Sequence, residues 1–397
     1  MGERNIKNKP EIKIKPAAVM YIATCLLWFS LYFYMPILST YCEKMGASYT
    51  LVGTILSSYG LVQLIMRLPV GIWSDITRKR KAFLLLGMAS AAVSGAGFFF
   101  ASGPSLLLLF RALAGVTAST WAIYMLTYCG YYPASEQSKG MGIIGTSMFL
   151  GQVIATFIAG ILTMYIDERW TFLISSLAAV LGVIMLTVLP EPELEQREVP
   201  KVREFVSMLK NRDLIFFSLM AIILQIATFA GPFGFVPNLL HNMGANNFHL
   251  GLSATFATLF AILTSFYSGS FFEEKVGIRR SVIISYIVTA LALAGMAFAA
   301  GIWQVLLLVL ACGAPRGLLQ PMLNSLAIRG IKPQIRSSAA SMFQSIYGLG
   351  MMIGPIIAGA IADAFGITAA FFAIGTLTLS GAVMMTFKKK LPGWIEQ

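Results

Sequence analysis

The chain has 397 residues, of which 57% are hydrophobic and only 12% are charged. Soluble domains carry roughly 25% charged residues, and a soluble core could not absorb this much apolar surface. The formal net charge of +12 does not indicate nucleic acid, because the cations lie between apolar segments and form no basic domain. The composition therefore predicts a protein whose main partner is the lipid bilayer.

Twelve apolar runs follow one another along the chain, each long enough to cross a hydrocarbon layer of about 30 Å as a helix. We number them spans 1 to 12, and their predicted bounds are 16–42, 49–74, 82–102, 104–130, 138–165, 169–189, 213–241, 248–273, 280–300, 302–328, 337–364 and 367–387. The sequence therefore predicts an all-α membrane protein with twelve transmembrane helices.

One extended polar stretch, 190–212, divides six spans from six and predicts a linker with a short surface helix over 202–210. The chain then divides into an N-terminal tail 1–15, an N-terminal bundle 16–189, the linker 190–212, a C-terminal bundle 213–387 and a C-terminal tail 388–397. The first apolar run is too long for a signal peptide and lacks a cleavage site, so we expect it to remain as span 1.

Lysine and arginine residues fall almost entirely on one side of the predicted spans. The loops of the opposite side contain only Lys44 and Arg169. The positive-inside rule therefore predicts a multi-pass protein of the cytoplasmic (inner) membrane, with both termini in the cytoplasm.

The sequence patterns do not indicate a metal site, a dinucleotide-binding site or an enzyme. The four cysteines, Cys25, Cys42, Cys129 and Cys312, have no metal-ligand spacing and are expected to be buried hydrophobes. The GxGxxG pattern over Gly140–Gly145 opens a membrane span and follows no strand, which argues against dinucleotide binding. We therefore expect no catalytic residue, no metal site and no enzyme.

The two groups of six spans repeat each other in sequence. The segment Met45–Gly53 recurs as Met243–Gly251, and with nearly the same offset Gly71–Lys81 falls on Ser270–Arg280. The same offset places Gly151 and Gly160 of span 5 on Gly350 and Gly359 of span 11. Because both halves have the same orientation, they are expected to be pseudo-symmetric about an axis along the membrane normal, as in secondary transporters.

The loop after span 2 carries Gly71, Asp75, Lys79 and Arg80 at the spacing of a known signature. That signature is a glycine, three residues, an aspartate, a cation, one residue, a glycine and two cations, and it identifies the major facilitator superfamily. On this motif the whole chain resembles that family. Ile76 replaces the first cation of the signature, and Arg78 replaces its second glycine.

Three further segments bear on the resemblance. The second half repeats the signature over Glu274–Arg279, with Glu for Asp and with Ser270 in place of the first glycine. Span 4 has Leu107-x3-Arg111-x3-Gly115, which is similar to another family motif. The Gly-Pro pair of the family's antiporters is absent from span 5, which has Gly151-Gln152, and this departure argues against its drug/proton antiporter branches.

The resemblance implies a gate at the cytoplasmic side. We expect Asp75 to lie near the N-terminus of span 11 when that side is closed, where the helix dipole stabilises a carboxylate. The alternative is a solvated hairpin whose charges only fix orientation. The predicted gate residues are Gly71, Asp75, Arg78, Lys79 and Arg80, with Arg67, Glu274, Arg279 and Arg280.

Besides Arg67, which we assign to the gate, two arginines lie inside spans, and the acids Asp75, Asp167, Glu274 and Asp363 all lie near span ends. An embedded arginine normally faces a cavity or a partner, and the resemblance implies that spans 1, 4, 7 and 10 line the central cavity. A cationic cavity suits an anionic substrate. The alternatives are a structural role for the family arginine and simple packing of the polar stripes. The predicted substrate-binding residues are Arg111, Arg316, Gln320, Asn324, Gln152, Gln225, Trp28 and Tyr32.

Span 11 contains glycines at a helical spacing that allows close approach of another helix, and a proline that can bend it. The predicted packing and hinge residues are Gly350, Gly354, Pro355 and Gly359.

These features predict a monomeric carrier that moves a small organic anion or amphiphile across the membrane by alternating access. The transport is secondary active or facilitated, it needs no cofactor, and uniport, exchange against a counter-substrate and proton coupling all remain open. One alternative is a proton-driven multidrug exporter. A second alternative is a non-transporting sensor built on a carrier scaffold.

Overall fold

The computed structural model describes residues 16–133, 136–189, 210–331 and 336–388. These residues contain twelve helices long and apolar enough to cross a membrane, so the prediction of an all-α, twelve-span protein is confirmed. The spans are Pro16–Lys44, Tyr49–Thr77, Arg80–Phe100, Pro104–Cys129, Lys139–Leu162, Arg169–Val188, Arg212–Asn242, Asn247–Phe266, Phe271–Met296, Ile302–Ile328, Ser338–Phe365 and Ile367–Phe387. The predicted tail 1–15, the surface helix 202–210 and most of the linker and the C-terminal tail lie outside the described residues.

Four of the spans are interrupted, including span 9, whose first part lies in a π-helical segment, Ser268–Gly277, before helix Ile278–Met296. Span 1 consists of helices Pro16–Tyr32 and Met35–Lys44, and span 4 of helices Pro104–Ser119 and Trp121–Cys129. Span 7 contains a π-helical segment, Gly231–Phe235, with a proline inside it. Prolines and π-turns relax the regular helix ladder, and such breaks are tolerated in membranes where neighbouring helices surround them. The breaks of spans 1, 4 and 7 lie in spans that the resemblance assigns to the cavity, whereas span 9 is not one of these spans.

The sequence repeat is also visible in the turns that end spans 1 and 7. Gly46 has φ = 88° and Gly244 has φ = 81°, the left-handed region that glycine occupies without strain. In both turns the amide of the following alanine donates back to the last helical turn, from Ala47 to Cys42 and from Ala245 to Leu240. The two halves therefore repeat hydrogen bonds as well as residues.

We call the side of the bundle with Pro16 and Phe387 the terminal side, and the side with the Gly46 turn the distal side. On the distal side spans 2 and 11, spans 5 and 8, and spans 1 and 7 pack against one another across the two halves. A Cβ added at Gly53 would overlap the backbone at Pro355, and one added at Gly251 would overlap Gly160. The halves are thus in direct backbone contact on this side.

The buried apolar core is forked. Its largest cluster draws residues from both halves and lies toward the distal side, from Trp28 and Tyr41 to Phe371. Toward the terminal side the core separates into one cluster from the N-terminal half, which includes Met20 and Leu186, and one from the C-terminal half. The described part of the molecule is therefore closed on the distal side and divided on the terminal side.

Candidate functional site

The loop after span 2 bears the signature motif on the terminal side. Asp75 and Lys79 are exposed there, whereas Arg80 is buried. A Cβ added at Gly71 would meet nothing within 4 Å. In this conformation the motif therefore lies where the core is divided, away from the close contact between the halves.

Arg78 stands where the family signature has its second glycine, and the structure shows why glycine suits that position. Its φ of 57° and ψ of 16° place it in the left-handed region, where a side chain costs roughly 1–2 kcal/mol. The matching position of the second half is Gly277, with φ = 88°. Both turns therefore use a positive φ at this position, although ψ differs between them, 16° at Arg78 and 137° at Gly277, and only the first half places a side chain there.

Replacing Arg78 with glycine is expected to leave the protein as stable or to raise its melting temperature by a few degrees. Relief of the left-handed strain outweighs the entropy that glycine adds to the unfolded chain. Thermal unfolding of the purified variant measures this, and Arg78→Ala, which keeps the strain, serves as the control. A melting temperature lower for glycine than for alanine would contradict the argument.

Two motif cations act inside their own halves. The Nζ atom of Lys81 donates to the carbonyls of Thr187 at 2.7 Å and Leu189 at 2.6 Å, where span 6 ends. Arg279 donates in the same way to the carbonyl of Lys388, where span 12 ends. A cation at the end of a helix satisfies its last carbonyls and complements its dipole. Arg279, which we predicted as a gate residue, therefore contacts the end of span 12 in its own half. Glu274 and Arg280, two other predicted gate residues, are exposed on the terminal side.

The distal side carries a set of polar contacts between the halves that sequence reasoning missed. The two carboxylate oxygens of Asp363 accept from the amides of Tyr49 at 2.9 Å and Thr50 at 2.8 Å, in the first turn of span 2. Asn238, which is fully buried, donates to the carboxylate of Glu43. We call Asp363, Glu43 and Asn238 the distal gate. The only sequence signal was that Asp363 lies near a span end.

The interface between spans 2 and 11 continues toward the terminal side as far as Arg67. This buried arginine donates from Nη1 to Oε1 of Gln344 at 3.2 Å, so it does lie between the halves. Among the predicted hinge residues, the Pro355 carbonyl and Gly359 face span 2, whereas Gly350 and Gly354 face span 7 of their own half.

Arg111 is 2% exposed and already has partners on the distal side of the cavity. Its Nη1 atom donates to the hydroxyl of Tyr34 at 3.3 Å, and Nη2 lies 3.4 Å from the sulfur of Met35. Its guanidinium also lies over the ring of Tyr59, 4.4 Å from the centroid. These contacts hold spans 1, 2 and 4 of the N-terminal half together.

Arg316 has a different environment. Its guanidinium lies 5.1 Å from the ring centroid of Phe233, and its Nη1 atom is buried without a hydrogen-bond partner. One turn away, Nε2 of Gln225 donates to Oε1 of Gln320 at 3.0 Å. On the next turn Oδ1 of Asn324 is also buried and unpartnered. Span 10 thus presents three polar side chains on one face, and two of them have unmet hydrogen-bonding capacity.

Two aromatic contacts join the halves between these arginines. Tyr32 meets Phe233 edge-to-face at 5.6 Å, and Tyr59 stacks with Phe229 at 6.4 Å. We call these four rings the aromatic seam. Each is less than a tenth exposed. The seam closes the cavity toward the distal side, and Arg111 contacts one of its rings, Tyr59, while Arg316 contacts another, Phe233.

The remaining predicted residues lie in the N-terminal half. Trp28 contacts Tyr32 at 6.0 Å and Trp121 edge-to-face at 5.4 Å. Its indole Nε1 and the Oε1 of Gln152 are buried and unpartnered. The structure therefore connects Trp28, Tyr32 and Arg316 in one series of contacts through Phe233, and Arg111 lines a small cavity together with Tyr32 and Phe229.

A twelve-span bundle of two repeated halves, closed on one side and holding polar side chains where the halves meet, defines a membrane transporter and not an enzyme. The Major Facilitator Superfamily model matches residues 20–246 and 218–393. The chain belongs to that superfamily, and the resemblance inferred from the signature motif is confirmed.

Relatives of known sequence cover most of the chain. It is 25% identical over 367 residues to the multidrug resistance protein MdtG of Salmonella schwarzengrund, across 88% of this chain and 89% of that protein. It is 24% identical over 367 residues to an uncharacterised transporter of the superfamily from Methanocaldococcus jannaschii, across 89% of this chain and 92% of that protein.

Solved structures share the fold. A mutant of the nucleoside transporter NupG superposes with a TM-score of 0.79 at 16% identity, covering 95% of this chain and all of NupG. A D-xylose–proton symporter superposes with a TM-score of 0.77 at 15% identity, covering 95% of this chain and 97% of the symporter. At these identities the likeness concerns the fold alone.

Proposed function

We propose that this chain carries a small organic anion or amphiphile across the cytoplasmic membrane by alternating access. The single observation that carries the proposal is Arg316, which lies where the two halves meet and whose Nη1 has no partner. The sequence places every Asp and Glu at a span end or outside the spans, so a substrate is the natural counter-charge.

The energetics support this role. An arginine at the centre of a span costs about 2.5–3.5 kcal/mol on insertion scales and is retained where it has a functional partner. The Arg316 guanidinium lies over the ring of Phe233, and its Nη1 is available to donate to a carboxylate or phosphate. Arg111 has partners at Nη1 and Nη2, while its Nε has none, and in our proposal it holds the N-terminal half together.

The forked core supports alternating access. With the terminal side in the cytoplasm, as the positive-inside rule predicts, the structure is closed to the outside and divided toward the inside. The other state requires the distal gate to separate and the terminal ends of spans 2 and 11 to meet. Asp75 would then reach the N-terminus of span 11, the counterpart of the contact that Asp363 makes on the distal side.

Replacing Arg316 with glutamine is expected to lower the affinity for anionic substrates about 10- to 100-fold, since a hydrogen bond to a charged group contributes about 1.5–3 kcal/mol. Uptake into proteoliposomes, with anions chosen by a thermal-shift screen, measures this. Arg316→Lys, which keeps the charge but loses the planar fork, is expected to be intermediate. Unchanged anion flux in both variants would refute the role of Arg316.

Two forms of energy coupling fit a carrier of this kind: exchange against a counter-substrate, and symport or antiport with protons. In the same proteoliposomes, an uncoupler that collapses a pH gradient stops the second and leaves the first unchanged. Net flux of any substrate also excludes the non-transporting sensor.

A second candidate function is multidrug export, which the similarity to MdtG favours. It predicts that a deletion strain becomes sensitive to several unrelated compounds and that an uncoupler abolishes the resistance restored by the gene. A strain with unchanged drug sensitivity and altered handling of organic anions would decide for the first function.

A further inference from the structure

The central site has two chemically different walls. On the wall from the C-terminal half, the Arg316 guanidinium lies over the ring of Phe233, 5.1 Å from the centroid. A guanidinium in contact with a ring can still bind an anion through an N–H donor that has no other partner. The free, buried Nη1 is such a donor.

On the wall from the N-terminal half, the part around Trp28 is aromatic. Trp28 and Trp121 form an edge-to-face pair at 5.4 Å, and Trp28 is only 6% exposed. Two polar atoms of this wall, Nε1 of Trp28 and Oε1 of Gln152, are buried without partners. The indole N–H can therefore donate to a ligand, and the amide oxygen of Gln152 can accept from one.

Gln152 lies at the level of Trp28. Its neighbour Gly151 packs directly against the backbone of span 1 at Cys25 and Phe29. Spans 1 and 5 are therefore in contact at this level, and the amide of Gln152 belongs to the same wall as the tryptophan pair.

The two walls are continuous. Trp28 contacts Tyr32 at 6.0 Å, Tyr32 contacts Phe233 at 5.6 Å, and Phe233 contacts Arg316 at 5.1 Å. These contacts place the arginine and the tryptophan pair on opposite sides of the Tyr32–Phe233 contact, and we take them as the two ends of one binding site. Flat rings gain most from such a wall, because aromatic pairs contribute about 0.5–1.5 kcal/mol beyond the area they bury.

We propose that the substrates are aromatic organic anions that bind in one orientation. Their carboxylate or sulfonate accepts from Arg316 in the C-terminal half, and their ring packs on Trp28 and Trp121 in the N-terminal half. A polar substituent on the ring hydrogen-bonds Gln152. This proposal rests on the proposed function and specifies the class of its substrate.

Such a substrate bridges both halves, which gives it a mechanical role. Because each end contacts a different half, binding favours the conformation in which both walls are near each other. A compound with only the anion, or only the ring, contacts one half and lacks this differential affinity.

The test uses the purified full-length chain and three matched probes: naphthalene carboxylate, its saturated decalin counterpart, and naphthalene methanol. Calorimetry is expected to show the naphthalene carboxylate binding at least tenfold more tightly than either of the others. Arg316→Gln should bring its affinity down to that of the alcohol, and Trp28→Leu down to that of the saturated acid. Trp121→Leu is a second variant of the aromatic wall, and unfolding temperatures confirm that each variant is folded.

Equal binding of the saturated acid and the aromatic acid would overturn the aromatic part of the proposal. Equal binding of the alcohol and the acid would overturn the anionic part, and no binding of any probe would overturn both. Flux is measured separately in proteoliposomes. Selective binding without flux would contradict the proposed transport but support the proposed binding site. Flux of anions without a preference for aromatic rings would support transport but contradict the proposed substrate class.

Discussion

Replacing Gly53 with leucine is expected to hold the distal side open and to lower transport about tenfold or more. In the structure a Cβ at this position would overlap the carbonyl of Pro355, a backbone atom that cannot move aside without displacing span 11. Overpacking of this kind costs about 1–3 kcal/mol. Because the cost applies only while the halves are in contact, it shifts the equilibrium toward the open distal side.

The measurement is the distance between spin labels on Ser102 and Ala300, exposed residues of the two matching distal loops. The labels are introduced as cysteines after the four native cysteines have been replaced. Gly53→Leu should lengthen this distance. Gly103→Leu is the matched control, since an added Cβ there meets nothing within 4 Å. An unchanged distance in a folded Gly53 variant would mean that the distal side does not close through this contact.

Asp75→Asn is expected to have the opposite effect and to impair transport severalfold with little loss of expression. The proposed contact of Asp75 with the N-terminus of span 11 forms only when the terminal side is closed, so removing the charge favours the conformation seen here. A charge at a helix N-terminus contributes about 0.3–1 kcal/mol when exposed and up to about 2 kcal/mol when partly buried.

Proteoliposome flux and the same pair of distal labels measure the effect of Asp75→Asn. The labels should report a larger closed fraction than in the parent protein, and Asp75→Glu, which keeps the charge, should recover part of the flux. Asp363→Asn weakens the distal gate and should move the labels in the opposite direction. Normal flux in Asp75→Asn would mean that the charges of the motif only fix the orientation of the protein in the membrane.

The twelve spans and their division into two halves could be predicted from the sequence, because a bilayer leaves the backbone of a long apolar segment only the helix. The repeat could be predicted as well, since the Met-Gly-Ala turn uses a glycine in the left-handed region in both halves. Hydropathy does not reveal which residues of distant spans meet. Asp363 and Asn238 were therefore missed, although each makes its contact with a residue of the other half.

The two arginines show the same limit of prediction from sequence at the candidate site. In the sequence Arg111 and Arg316 both appear as cations without nearby acids. Only the structure shows that Arg111 has a hydroxyl, a sulfur and a ring as partners, while Nη1 of Arg316 has none. The replacement of the signature glycine by Arg78 could be seen in the sequence. Its free-energy cost could not, because the cost depends on the backbone angle φ, which is 57° at Arg78.

The aromatic seam has a consequence for the membrane itself. A carrier that binds an ion between its halves must not become a pore for water and protons, because a leak would dissipate the gradients of the cell. Rings from both halves meet at 5.6 and 6.4 Å and shield the site from the distal side. Smaller side chains at Tyr32 and Phe233 are therefore expected to make the membrane electrically leaky, in addition to their effect on binding.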